Sequence, residues 1–296
     1  MKTLVAVYDL KIGPVSFDFV VWLIKARIEK ERIAAKALHV VVVPFAGGVG
    51  GMFRDKTALY DEAEMHWRLW NIVIPACQLA GASVTLATDW KMVAALNADA
   101  MWPKDWDDQT LRNRHHLIGT IIDHANSGAK VPMLRASEHA RRAVRERFKY
   151  RPFVTLTMRR TYRESRNAVV EDWLSVVSDI ERKGYAVEVI DDVSKALKAG
   201  RGFAEFSLDL RLALYESATF NLQSNNGTAS LCWFSSRPYV MFDAGVGDTR
   251  EEWYGLFVDQ GLPWGESWPW ATPKQRIVYE RSTRAVLLRE IERGLG

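Results

Sequence analysis

Residues 3–45 read TLVAVYDLKIGPVSFDFVVWLIKARIEKERIAAKALHVVVVPF, and this stretch decides the fold class. The run from Thr3 to Tyr8 is almost wholly apolar and predicts a buried strand. Ser16 to Ile33 carries an apolar stripe at helical spacing, and Leu38 to Phe45 predicts a second buried strand. Strand, helix and strand in this order are typical of a βαβ unit around a parallel sheet.

The same alternation continues along the chain. The first half adds a helix over Tyr60 to Leu79, a third strand over Ser83 to Thr88 and a short helix from Asp89. The second half repeats the design, with strands predicted at Phe153 to Met158, Tyr185 to Ile190, Thr219 to Leu222 and Tyr239 to Phe242. Thr272-Pro273 predicts the start of a terminal helix that ends near Arg293.

The length of the chain indicates two domains. At 296 residues it is longer than one hydrophobic core usually organises. We therefore predict an α/β protein of two Rossmann-like parallel-sheet domains, residues 1–140 and 141–296.

The composition of the chain and the lack of a targeting signal predict an ordinary cytoplasmic protein. Hydrophobic residues make up 48% of the chain and charged residues 26%, which excludes the disordered and fibrous classes. No apolar run reaches the roughly 18 residues of a membrane-spanning helix, and the N-terminus lacks a signal-peptide pattern. The two cysteines, Cys77 and Cys232, cannot form a disulfide framework or a cysteine-based zinc site.

Positive charge is concentrated in residues 112–151, which hold ten Lys or Arg, three Asp or Glu and four of the six histidines. A solvated helix face explains this pattern, because Arg141, Arg142, Arg145 and Lys149 fall at helical spacing. An anionic ligand or a peripheral contact with a membrane is the alternative. Aromatic residues are not interleaved with the basic ones, so we predict no nucleic-acid partner.

The stretch NLQSNNGT, residues 221–228, follows a predicted strand and precedes a predicted helix. Small polar residues at this position expose backbone N–H groups, which suit a phosphate at the carboxyl edge of a parallel sheet. We take Ser224, Asn225, Asn226, Gly227 and Thr228 as candidate phosphate-binding residues. An ordinary strand-to-helix connection with a Ser or Asn cap is the alternative.

Arg159 and Arg160 end the first strand of the second half, at the same predicted edge of the sheet. A guanidinium at this position would neutralise a departing pyrophosphate without a metal ion. Surface ion pairing is the alternative for both arginines.

The second half of the chain contains the segments FVTLTMRRTYRESRN and ATFNLQSNNGTASLCWFSSRPYVMFD. Both resemble the C-terminal half of GT-B glycosyltransferases. The opening segment AVYDLKIGPVSFDFVVWLIKAR resembles the start of these enzymes. The similarity is to fucosyltransferase-like enzymes and to small bacterial glycosyltransferases related to them. It implies that Arg159 contacts the donor phosphates and that Ser224, Asn225, Gly227 and Thr228 belong to the phosphate-binding loop. It also implies a nucleotide-sugar substrate.

A glycine-rich loop follows the second strand, with Gly48, Gly50 and Arg54 as candidate acceptor-side residues. A plain surface turn is the alternative. An NAD site is disfavoured, because Phe53 stands where the dinucleotide fingerprint needs glycine.

Metal-binding patterns are weak in this sequence. Asp105-Trp106-Asp107-Asp108 resembles the Asp-x-Asp motif of the other large glycosyltransferase class, but the motif is short and does not follow a strand pattern. The histidines lack zinc-helix spacing. We therefore predict no metal and no cofactor. Trp264, Trp268 and Trp270 either stack on a sugar or nucleobase or pack on the core.

Together with these patterns, the resemblance implies a metal-independent glycosyltransferase that moves a sugar from a nucleotide-sugar donor to a hydroxyl acceptor, such as a glycan or a small molecule. The donor is expected in the second domain and the acceptor in the first. Asp9, which ends the first strand, is the candidate general base and Asp89 its rival, with salt-bridged or helix-capping roles as the alternative for each. A non-catalytic nucleotide- or glycan-binding protein with the same two domains is the alternative function.

Overall fold

The computed structural model describes residues 2–10, 13–43, 62–96, 98, 100–104, 118–160, 164–193, 207–244 and 257–296. By internal contacts the chain divides into two compact units, Met1–Ile121 and Ile122–Gly296. None of the helices within the described ranges is long and apolar enough to cross a bilayer.

The first unit is built around a four-stranded parallel sheet with strand order β3-β2-β1-β4. Its elements in chain order are β1 (Thr3–Asp9), α1 (Asp18–Arg32), β2 (Ala37–Val43), α2 (Glu62–Arg68), a π-helical segment (Leu69–Val73), α3 (Ile74–Leu79), β3 (Ser83–Leu86), α4 (Trp90–Ala94) and β4 (Ala100–Trp102). Helix α5 (Gly119–Asn126) spans the division between the units.

The second unit contains a five-stranded parallel sheet with strand order β6-β5-β7-β8-β9. Its elements are α6 (Glu138–Phe148), β5 (Phe153–Arg160), a 3₁₀ turn (Glu164–Arg166), α7 (Val170–Ser175), α8 (Val177–Arg182), β6 (Ala186–Val193), α9 (Leu208–Ser217), β7 (Phe220–Ser224), α10 (Ala229–Trp233), β8 (Tyr239–Phe242), β9 (Gln275–Ile277) and α11 (Arg284–Leu295). Two parallel sheets with intervening helices confirm the predicted fold class.

The two faces of the second sheet differ in chemistry. One face is apolar and packs on α7, α8 and α11 through Leu156, Leu222, Trp173 and Leu287. The other face carries polar residues that are nevertheless fully buried, such as Thr155, Thr157 and Asn221, and the side chain of Asn221 is fully paired. Its carboxamide accepts from the Thr155 hydroxyl at 2.7 Å and donates to the carbonyl oxygens of Tyr215 and Pro238 at 3.0 Å each. Buried polar groups paired in this way avoid the cost of an unmade hydrogen bond.

The predicted helix over Tyr60 to Leu79 is present but interrupted by the π-helical segment. Pro75 lies one residue after the start of α3, and its nitrogen carries no hydrogen to donate to the carbonyl of Asn71. The Asn71 side chain donates to the Trp67 carbonyl, one turn earlier, at 2.7 Å. A widened turn beside a proline is a recognised local adjustment of a helix.

The prediction of a helix from Thr272 to Arg293 is wrong in its first half. Residues 275–277 form edge strand β9, and helix α11 begins only at Arg284. The side chain of Gln275 is buried and donates to the carbonyl oxygens of Ser235 and Arg237 at 2.8 and 2.9 Å. These tertiary bonds fix the segment beside β8 and override its local helical signals.

The division between the units, after Ile121, lies earlier in the sequence than the boundary predicted at residue 140. Residues that precede α6 are already bonded to the second unit, since Leu134 N–H donates to the Phe234 carbonyl at 2.8 Å. Ser137 donates through N–H and hydroxyl to the carboxylate of Asp209 at 2.7 and 2.6 Å. The whole of α6 therefore belongs with the second sheet.

Candidate functional site

The carboxyl ends of β5 and β7 are joined by direct hydrogen bonds. The Ser224 hydroxyl accepts from the backbone N–H of Arg159 at 2.6 Å and donates to the Thr157 carbonyl at 3.2 Å. The guanidinium of Arg159 reaches the Asn225 carbonyl, with Nη1 at 3.1 Å. The two segments singled out from the sequence, 65 residues apart, are thus brought together at one edge of the sheet.

The loop 225–228 is closed on itself by the side chain of Asn226. Its Oδ1 accepts from the Thr228 hydroxyl and from the Ala229 N–H, both at 2.9 Å. Asn226 is only 4% exposed, yet its Nδ2 has no hydrogen-bond partner among the described residues. Gly227 is exposed and half-buried Asn225 lies beside it, so the loop is open to solvent at these two residues.

Several of the candidate side chains form hydrogen bonds within the protein that stabilise the loop. Ser224 is fully buried and its hydroxyl is used in both directions, so it supports Arg159 rather than facing solvent. Thr228 is 2% exposed, with its hydroxyl directed to Asn226. Donors left for a ligand are the Asn226 amide and, within the described chain, backbone N–H groups of residues 226–228 that donate to no protein acceptor.

Helix α10 contributes less to this site than the sequence suggests. It has five residues, Ala229–Trp233, and so supplies only a short array of aligned peptide dipoles. Anion binding at this loop would therefore depend on its N–H groups and on Arg159, as in other backbone nests.

Arg160 lies on the other side of the sheet from Arg159. Successive residues of a strand point to opposite faces, and Arg159 shares its face with Thr155 and Thr157. Arg160 is exposed and shares its face with Met158. Its role as a phosphate contact stays a prediction.

Tyr215 and Arg211 are two neighbours of the loop that the sequence did not single out. The Tyr215 hydroxyl lies 3.1 Å from that of Thr157 and also contacts Thr228. Burial raises the pKa of this hydroxyl, and the nearby charge of Arg211 partly offsets the rise. Arg211 is 5% exposed, one helical turn before Tyr215 on α9. An arginine between two leucines, Leu210 and Leu212, was the available signal for both residues.

The two candidate bases of the first unit have different surroundings. Asp9 ends β1 and is 3% exposed, and its backbone carbonyl accepts from Gly13 N–H at 2.8 Å. Gly13 packs so closely on the ring of Tyr8 that a Cβ atom there would overlap it. Asp89 is exposed and caps α4, accepting from Met92 N–H at 2.9 Å. The capping role predicted as the alternative therefore applies to Asp89.

The remaining candidates divide into two groups. Gly48, Gly50, Arg54 and the Asp105–Asp108 motif lie outside the described residues. Trp268 is buried and stacks in parallel on Trp270 at 5.3 Å, which fits packing on the core. Trp264 is 38% exposed and lies 4.6 Å from the ring of Tyr279. No group of three possible metal ligands occurs in the part of the chain that the structure describes.

Comparison with known proteins supports the fold. No protein-family model and no curated protein matches the chain. A solved structure described as a glycosyl transferase family 9 protein from Veillonella parvula DSM 2008 matches with a TM-score of 0.57 and 9% identity, covering 99% of this chain and 97% of the other. Two structures of E. coli heptosyltransferase WaaC, with ADP-2-deoxy-2-fluoro heptose and with ADP, match with TM-scores of 0.43 and 0.44, identities of 13% and 12%, and coverage of at least 99% of each chain. The chain therefore has the two-domain GT-B fold.

Replacing Ser224 with Ala should lower the free energy of unfolding by about 1–3 kcal/mol, because the part-buried N–H of Arg159 loses its acceptor. Urea denaturation measures this, with Ser127→Ala as an exposed control expected to stay within about 0.5 kcal/mol. Unchanged stability combined with lost nucleotide binding would instead make Ser224 a direct ligand.

Proposed function

We propose that this protein is a metal-independent glycosyltransferase that moves a sugar from a nucleotide-sugar donor to a hydroxyl acceptor, in glycan or polysaccharide synthesis. The observation that carries the proposal is the junction of Arg159 with the loop 224–228. A cation, a buried amide without an acceptor and exposed loop backbone meet there at the carboxyl edge of a parallel sheet.

This arrangement suits the leaving group of glycosyl transfer. The sugar passes through an oxocarbenium-like transition state while negative charge develops on the departing diphosphate. Fixed donors aimed at that charge stabilise the transition state without reorganising. Arg159 would supply the positive charge, and the Asn226 amide with the N–H groups of Gly227 and Thr228 would supply hydrogen bonds.

The fold supports the same proposal. The family 9 structure is described as a glycosyl transferase, and its fold spans nearly all of both chains. Because fold alone does not fix function, the local chemistry at Arg159 carries the assignment to this chain. The buried free thiols of Cys77 and Cys232 fit a reducing compartment, and we propose the cytoplasm.

We place the acceptor in the first domain, with Asp9 as the general base. Asp9 is a carboxylate at the carboxyl end of a parallel strand, where α/β proteins place reactive groups. It would take the proton from the acceptor hydroxyl as that oxygen attacks the sugar. Gly48, Gly50 and Arg54 remain the proposed acceptor-side loop.

A non-catalytic nucleotide- or glycan-binding protein is the second candidate. The Ser224 and Thr228 hydroxyls form hydrogen bonds within the protein, so fewer groups of the loop are left for catalysis. This observation favours the binding protein. A thermal-shift panel of nucleotides and nucleotide sugars, followed by turnover assays on each hit, separates binding without turnover from transfer.

Arg159→Ala should weaken binding of a nucleoside diphosphate tenfold to a hundredfold, which corresponds to the roughly 1.5–3 kcal/mol of a charge-assisted contact. Isothermal titration calorimetry measures the loss. Arg160→Ala is the matched control, one residue along and on the opposite face, and should have a milder effect. Equal affinity in wild type and Arg159→Ala would remove the main support for the proposal.

Nucleotide binding and turnover should survive EDTA, because the proposed donors for the phosphates are protein groups. Activity measured before and after dialysis against chelator tests this. Complete loss that manganese restores and that Asp105→Ala abolishes would assign the chain to the metal-dependent class.

Asp9→Asn should reduce turnover by about 10²–10⁴-fold, the usual contribution of a positioned base, while the affinity for nucleoside diphosphate stays unchanged. Asp89→Asn is the matched control, because asparagine caps a helix as well as aspartate does. Full turnover by Asp9→Asn would show that another group is the base.

A further inference from the structure

The end of α6 forms an unusual turn. Lys149 and Tyr150 follow the helix with φ of 48° and 63°, so two successive residues with side chains occupy the left-handed region. Tyr150 is 83% exposed, the largest exposure among the large hydrophobic residues described. The chain thus holds an aromatic side chain out into solvent at a fixed position.

The segment that contains this tyrosine is rich in basic residues. Residues 141–151 contain six Lys or Arg and one acid, Glu146. Three of the arginines are paired with acids: Arg141 and Arg145 with Glu138, and Arg147 with Glu188. Within the described chain, Arg142, Lys149 and Arg151 are exposed and form no ion pair. Arg142 lies on α6 itself, whereas Lys149 and Arg151 belong to the turn that follows the helix.

A groove of about 190 Å³ lies at the turn. Its apolar lining comes from Val144, Phe148, Pro152 and Phe153, and Tyr150 and Arg151 of the turn line it as well. Phe148 and Phe153 stack in parallel with their ring centroids 3.8 Å apart, so the lining is well fixed.

We propose that Arg142, Lys149, Tyr150 and Arg151, here termed the basic turn face, bind the surface of an anionic phospholipid bilayer. Cations near such a surface are attracted to its negative potential, and tyrosine favours the boundary between headgroups and acyl chains. The adjoining apolar groove would accept part of a lipid. A nucleic acid would satisfy the cations but leave the groove unused.

The basic turn face is distant from the candidate donor site in the same unit. It adjoins Phe153 at the start of β5, whereas Arg159 lies at the other end of that strand. At about 3.3 Å per residue, strand geometry separates the two ends by roughly 20–25 Å. Membrane contact is therefore independent of the proposed function and leaves the donor loop uncovered.

Co-sedimentation with vesicles tests this proposal. Wild-type protein should bind vesicles of phosphatidylcholine containing phosphatidylglycerol, bind pure phosphatidylcholine vesicles far more weakly, and dissociate in high salt. Arg142→Gln/Lys149→Gln/Arg151→Gln should lower the partition coefficient about a hundredfold, since each cation contributes about fivefold. Tyr150→Ser alone should weaken binding to the same vesicles.

The matched control is Lys36→Gln/Lys91→Gln/Lys104→Gln, which removes three exposed lysines from the first unit with the same change in charge. The control should bind as wild type does, and both triple variants should keep the wild-type melting temperature and nucleotide affinity. Equal loss in both triples, equal binding to neutral vesicles, or tighter binding to a single-stranded oligonucleotide than to anionic vesicles would overturn the proposal.

Discussion

The hydrogen bond from the Arg159 backbone to the Ser224 hydroxyl is the constraint on which the candidate site depends. It joins the carboxyl ends of two adjacent parallel strands, β5 and β7, at the point where both leave the sheet. Because the same hydroxyl also donates to the Thr157 carbonyl, the backbone of Arg159 is fixed by a buried group, and the guanidinium is held by the Asn225 carbonyl. A cation held in this way loses little entropy when it meets an anion.

The buried polar face of the second sheet explains how this junction is supported. Asn221 and Thr155 pair across β7 and β5, and Tyr215 joins Thr157 to Thr228 near the loop. Buried side chains that are paired in this way rigidify their surroundings. The other face of the sheet packs its apolar residues on α7, α8 and α11, so the polar face is available to position the loop.

Much of the architecture could be predicted from periodicity, because buried parallel strands give continuous apolar runs such as Leu38 to Val43. The Ser137 cap of α6 could also be predicted, because a serine directly before a helical pattern is a local signal for a helix start. Strands β4 and β9 were missed because each has three residues and exists through pairing with a neighbour. At the site, the sequence predicted that Arg159 and the loop lie at one edge of the sheet. It did not predict that the Ser224 hydroxyl is buried and bonded within the protein, or that Arg211 lies near Tyr215.

The central claim is that Arg159 and residues 226–228 hold the diphosphate of a nucleotide-sugar donor. A crystal structure of the protein with a nucleoside diphosphate tests it most directly. We predict the phosphates within hydrogen-bonding distance of the Arg159 guanidinium and of the Asn226 amide or the Gly227 N–H. A nucleotide bound at another position, with its phosphates out of hydrogen-bonding distance of the Arg159 guanidinium, would contradict this prediction.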